Sequence, residues 1–268
     1  MGENIKIGLA QIQSGLDKQK NNEQIITAVD NAAAQKVDLL VFPEAAQISF
    51  EAKLYDGAEP LDGPFASLIR SEAAKHDMMI VAGMFDPAAE NRVHNTLLIT
   101  GKNTNAIYHK VHLYDAFGSR ESDTVESGST YLALDTVFGK IGFATCYDLR
   151  FADQFTALGN AQARLIIVPA SWGDGPGKAQ QWDLLVRARA ADAQAWLVAC
   201  DQAWQPAKGT APLGIGLSSI VDPMGNVRAR LDSAPGLLVS EIDLGIVDSI
   251  RARIPILGRK NSSTVVNV

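Results

Sequence analysis

Two cysteines in 268 residues, Cys146 and Cys200, are too few for a disulfide framework. No CxxC pair and no Cys/His spacing has the form of a zinc site, so no metal is expected. Positive charge is also in deficit: 24 Lys and Arg face 30 Asp and Glu, for a net charge of −6. A protein that binds nucleic-acid backbone needs clustered cations to displace counterions, so no nucleic-acid partner is expected. Long apolar runs are missing, none approaching the ~18 residues that cross a bilayer, so no membrane partner is expected either. The N-terminus, MGENIKIGLAQIQ, lacks a basic segment followed by an apolar one and is not read as a signal peptide. These absences together lead us to expect a reduced, cytoplasmic protein.

What is present is an ordinary globular balance, 47% hydrophobic and 20% charged residues, in a chain long enough to bury a large core. The apolar runs are short and regularly interrupted. Residues 5–12, 37–43, 78–85, 95–100, 140–148, 164–172, 195–202, 217–223 and 236–244 read as strands, and NAIYHKVHL (105–113) as another. Several are apolar on both faces, as strands covered by helices must be. Between them, 18–36 carries Ile25, Ile26, Val29 and Ala32 or Ala33 at helical spacing. Residues 64–76 open with proline after a glycine turn, and 178–194 form a third helix. Alternation of strands and helices predicts an α/β architecture. The polar interval 114–131, rich in Gly and Ser, reads as a functional loop without regular structure. With no repeat and no linker-like stretch, 1–268 is expected to be one domain with a tail from about residue 248.

One strand ends oddly. KIGFATCYDLRF (140–151) runs from core residues into a thiol, with a carboxylate two residues on and a guanidinium four residues on. Reactive groups in α/β sheets gather at the carboxyl ends of strands, where a following helix offers free N–H groups. A helix starting just after Cys146 would lower its thiol pKa and support an oxyanion. Taken alone, Cys146 reads more readily as a buried structural cysteine, which is how Cys200 is read. A cysteine that attacks an amide needs a base for its proton. The four histidines, His76, His94, His109 and His112, show no Cys–His signature. Glu44 ends the apolar stretch LLVFPE and is either a solvated turn residue or a buried acid with a raised pKa. Lys110, near the end of the 105–113 strand, is either a solvated surface charge or a cation for a tetrahedral oxyanion.

These contexts in this order, VFPEAA (41–46), YHKVHLYD (108–115) and CYDLRFAD (146–153), resemble the nitrilase superfamily of carbon–nitrogen hydrolases. NRVHNTLLI (91–99), VPASW (168–172), LLVRARAADAQAWLVACDQ (184–202) and GLSSIVDPMGNV (216–227) extend the resemblance over nearly the whole chain. It implies a four-layer α-β-β-α sandwich, with Cys146 as nucleophile, Glu44 as general base and acid, and Lys110 and the Tyr147 backbone N–H as oxyanion donors. It further implies that Glu121, in ESDTVESG, orients lysine or substrate, although Val125 stands where the family has Phe. Tyr114, Arg150 and Trp172 become candidate substrate contacts, and Arg120, Arg150 and Lys178 candidate cations for a substrate carboxylate. Asp148 reads as a support rather than as chemistry.

Ala152 and Asp153 replace the usual Pro-Glu, and Gln181 stands where a His is common. The segment HLYDAFGSRES is similar to the branch acting on deaminated glutathione, with ω-amidases for α-ketoglutaramate nearby. The implied activity is hydrolysis of a small carboxylate-bearing amide through a cysteine thioester, with release of ammonia and no cofactor. Nitrilase, carbamoylase or acyl-transfer chemistry on the same thioester is the alternative among enzymes. A non-catalytic binding member of the fold is the alternative outside them, and it is disfavoured because all three triad residues are present. Such proteins pair through helices and C-terminal tails, so a homodimer is expected.

Overall fold

The structure, a computed structural model, describes residues 4–206, 209 and 211–258. Alternation of side chains along the strands sets its layers. The first sheet contains β1 (Asn4–Gln11), β2 (Leu39–Val41), β3 (Met79–Pro87), β4 (Val93–Gly101), β5 (Thr104–His109), β6 (Val125–Glu126) and β13 (Gly236–Asp243). Its order is β13-β1-β2-β3-β4-β5, with β6 on β4; β1, β2 and β3 are mutually parallel. The second sheet contains β7 (Leu132–Thr136), β8 (Gly139–Phe143), β9 (Leu165–Ala170), β10 (Trp196–Asp201), β11 (Ser219–Val221) and β12 (Val227–Arg230). Its order runs from β12 back to β7, with β8, β9 and β10 parallel at the centre.

The two sheets stack face to face. Ile5, Ile7 and Leu9 of β1, Val41 of β2 and Val81 of β3 pack in one cluster with Phe143, Ile167 and Val198 of the second sheet. The alternate residues point outward and are covered by helices. On the first sheet these are α1 (Lys18–Ala34) and α3 (Pro64–Lys75), which bury Ile25, Val29, Phe65 and Ile69 against Leu40 and Ile80. On the second they are α4 (Ala152–Asn160) and α5 (Lys178–Ala193), which bury Phe155, Trp182 and Val186 against Ile166 and Leu197. Local chemistry fixes the helix starts. The Asp17 carboxylate accepts from the N–H groups of Gln19 and Lys20 at the head of α1. Pro64 sits in the first turn of α3, where its missing N–H costs nothing. The result is the four-layer α-β-β-α sandwich that the resemblance implied.

Several local expectations need correction. The strand expected over 140–148 stops at Phe143, and Cys146 opens a 3-10 turn, Cys146–Arg150; α4 begins only at Ala152. The interval 114–131 does hold regular structure, a 3-10 turn at Glu121–Asp123 and the short β6. The tail from about residue 248 overlaps α6 (Ile246–Arg253); its residues 259–268 lie outside the described residues. A further short helix, α2 (Leu54–Gly57), precedes α3.

Candidate active site

Parallel neighbours put their carboxyl ends on one side, and stacking brings the two sheets' ends together. Just beyond β2 lies Glu44, and just beyond β9 lies Ser171, whose backbone N–H donates to Glu44 Oε2 at 2.8 Å. Lys110 follows β5 directly, its N–H bonded to the carbonyl of Asn95 in β4. Its side chain crosses to Glu44 Oε1 at 2.9 Å and to both oxygens of Glu121, at 2.8 Å and 3.1 Å. All three side chains are almost fully buried. Asn95 Nδ2 donates to Glu44 Oε1 at 2.7 Å and to Glu121 Oε1 at 2.9 Å, so one amide spans the two carboxylates that the ammonium joins. The N–H of Tyr114 donates to Glu121 Oε2 at 2.6 Å, pinning the loop to the same centre. Gly83 of β3 passes so close that an added Cβ would lie 2.6 Å from the Cα of Glu44, so any side chain there would have to push this backbone aside.

Cys146 completes the cluster. Its backbone is left-handed, φ +45°, a conformation that costs a non-glycine residue about 1–3 kcal/mol and is held here by the turn around it. The turn is fixed by buried Asp148, which accepts from the Thr145 N–H at 2.8 Å, the Tyr108 hydroxyl at 2.7 Å and the His112 N–H at 3.0 Å. Asp148 is therefore the support expected of it. Cys146 Sγ lies 3.8 Å from the carbonyl oxygen of Ser171, the residue whose N–H holds Glu44.

Charges in this buried space shift one another. Burial pushes the Glu44 carboxyl up, and the charge of Glu121 adds to this against the opposing pull of Lys110. Burial by itself would depress the Lys110 ammonium, but Glu121 and Glu44 outweigh it and hold it well above the ordinary lysine value. Burial, then the charge of Glu44, pushes the Cys146 thiol well above its usual value. This reverses the expected lowering: no α-helix starts at the sulfur, and a desolvated thiolate beside a carboxylate is disfavoured.

Glu44, Lys110, Cys146 and Tyr147 all line one cavity of about 460 Å³, together with Tyr114 and Arg150. Trp172 also lines it, with its N–H on buried Asp201 at 2.7 Å and its indole N–H on the Lys178 carbonyl at 3.1 Å. Arg150 lies over the Trp172 ring, 5.1 Å from its centroid, and donates to Gln181 Oε1 at 2.7 Å. Lys178 also faces the cavity and donates to the Tyr114 hydroxyl at 3.2 Å. Arg120 reaches the cavity rim but is largely exposed and pairs with Asp123. Cys200 is buried away from this cavity, with its sulfur against the carbonyl of Val41.

The sequence reading missed Asn95, Ser171 and Asp201. The first sits between His94 and Thr96, ahead of the apolar stretch of β4, where a polar residue carries no signal of its own. The Ser171 contribution is a backbone N–H, which side-chain identity does not reveal.

The family profile described as carbon-nitrogen hydrolase matches residues 6–252. A hydrolase of Mycobacterium tuberculosis is 40% identical over 276 residues, covering 98% of each chain. The deaminated glutathione amidase of Escherichia coli O157:H7 is 34% identical over 247 residues, covering 90% of this chain and 92% of that one. Among solved structures, Saccharomyces cerevisiae Nit3, of branch 10 of the nitrilase superfamily, superposes with a TM-score of 0.84 at 24% identity, covering 94% and 95%. The chain thus belongs to the carbon–nitrogen hydrolase family.

Proposed function

We propose that the protein hydrolyses a small, carboxylate-bearing linear amide, best exemplified by deaminated glutathione, through a thioester on Cys146. The observation that carries this reading is the buried ammonium of Lys110 held between Glu44 and Glu121 beside the Cys146 sulfur. Glu44 takes the thiol proton as Sγ bonds to the amide carbon. The oxyanion so formed is held by Lys110 and the Tyr147 N–H. Glu44 then gives the proton to the departing nitrogen, the C–N bond breaks and a thioester remains. A water, deprotonated by Glu44, attacks the thioester, and the thiol leaves with the proton restored. Glu121 keeps Lys110 charged and aimed throughout. Tyr114, Arg150 and Trp172 contact the substrate.

The leaving group follows from the substrate. A primary amide releases ammonia, whereas deaminated glutathione, whose scissile amide joins an oxoglutaryl group to cysteinylglycine, releases that dipeptide. The assay should therefore read the acid product as well as ammonia. Purified enzyme would be offered deaminated glutathione, α-ketoglutaramate, an aliphatic amide, a carbamoyl compound and a nitrile, with Cys146→Ala alongside. Preference for deaminated glutathione, lost in the variant, supports the proposal; preference for α-ketoglutaramate moves the protein to ω-amidase activity. Turnover of the carbamoyl compound or nitrile alone overturns the substrate assignment. We further propose that the active form is a homodimer with the tail from about residue 248 in its contacts, which sedimentation of the full chain and a truncated one would test.

A further inference from the structure

Apart from the exposed Lys53, two cations face the cavity without a carboxylate of their own. Among the described residues neither Arg150 nor Lys178 forms an ion pair, in a chain that carries a surplus of acids. Each rests instead on neutral groups. Arg150 bonds the amide oxygen of Gln181 and lies over the Tyr147 and Trp172 rings, and its buried Nε has no hydrogen-bond partner. Lys178 bonds the Tyr114 hydroxyl and sits 3.6 Å above the centroid of Phe117, whose ring Arg150 also overlies at 5.9 Å. The two positive charges are close enough that Arg150, after burial, depresses the Lys178 ammonium. Two neighbouring cations with neutral partners are an unfavourable arrangement in the empty protein. The arrangement becomes favourable when anions enter, because charge-assisted hydrogen bonds then replace the neutral ones.

We propose that Lys178 is a specificity-determining residue that binds a second substrate carboxylate, so that the pocket selects amides bearing two carboxylates, one for Arg150 and one for Lys178. This rests on the amidase reading above and deepens it. Gln181 serves as the neutral tether that orients Arg150 without neutralising it, and Phe117 covers the Lys178 end. A protein of the same fold with an acid at position 181 would lose this preference.

The test separates binding from turnover. Cys146→Ala and Cys146→Ala/Lys178→Met proteins would be titrated calorimetrically with N-glutarylglycine, an amide with a carboxylate in each half, and with its two monomethyl esters. The expected result is a loss of affinity of roughly 10- to 50-fold for the diacid on losing Lys178, the scale of one charge-assisted hydrogen bond. One of the two monoesters should bind both proteins within about twofold, because it lacks the carboxylate that Lys178 holds. Lys178→Arg, which keeps the charge, should recover most of the diacid affinity. Unchanged diacid affinity in the Lys178→Met protein, or an equal loss for diacid and both esters, overturns the proposal. Failure of the wild-type enzyme to turn over any amide would count against the amidase reading and leave this binding result standing on its own.

Discussion

Replacing Glu44 by Gln keeps the volume of a fully buried side chain and changes only its chemistry. The carboxylate accepts three hydrogen bonds, from Lys110 and Asn95 on one oxygen and from the Ser171 N–H on the other. The amide has one acceptor oxygen, so in either orientation its NH2 faces a donor. Turned towards Ser171, the NH2 leaves one buried N–H without a partner, at a cost of about 1–3 kcal/mol. Turned towards Lys110, it opposes both an ammonium and an amide, which is worse; the first orientation should therefore prevail. Lys110 keeps its two-oxygen contact with Glu121, so the centre does not collapse. For a domain of this size, about 2–4 °C per kcal/mol, the melting temperature should fall by roughly 3–10 °C. Activity should fall far more, since loss of a general base costs roughly 10²- to 10⁴-fold. Steady-state kinetics and calorimetry on Glu44→Gln check both numbers. A folded variant with kcat within tenfold of wild type would refute the role given to Glu44.

Lys110→Met removes the charge that opposes burial at Glu44, so the Glu44 carboxyl should rise further. A raised folded-state carboxyl favours folding below its unfolded value and loses that advantage as pH rises through the folded value, so melting temperatures of this variant should be highest in acid and fall towards neutrality. In the intact protein the raised Lys110 ammonium contributes stability fully present below about pH 10.5 and lost above it, which alkaline melting curves would show. The raised Cys146 thiol predicts alkylation by iodoacetamide that keeps accelerating beyond pH 9, with no plateau near neutrality. Gly83→Ala drives a methyl group into the Glu44 backbone and should cost about 1–3 kcal/mol with a disproportionate loss of kcat, readable by thermal melting and kinetics together.

The three side chains proposed as the triad were readable because each ends an apolar run whose context resembles a known family. Glu44, Lys110 and Cys146 duly converge on one cavity. Periodicity marked α1, α3 and α5 to within a few residues, since each carries a long stripe of buried side chains. It had no access to the pairing of strands into two sheets, because strands apolar on both faces read alike in either. The Cys146 turn was misread for a related reason. Its geometry depends on Asp148 gathering Tyr108, His112 and Thr145, contacts that join distant segments of the chain. The direction of the thiol shift went wrong with it: burial and Glu44, both products of tertiary packing, outweigh any local dipole.

The central claim is that Cys146 becomes acylated by the substrate. Enzyme quenched in acid during turnover of deaminated glutathione, then digested and weighed, tests it directly. The account predicts the oxoglutaryl mass on the peptide containing Cys146, present during turnover and absent once substrate is exhausted. Full turnover with no adduct at Cys146, or undiminished turnover by Cys146→Ala, would contradict it.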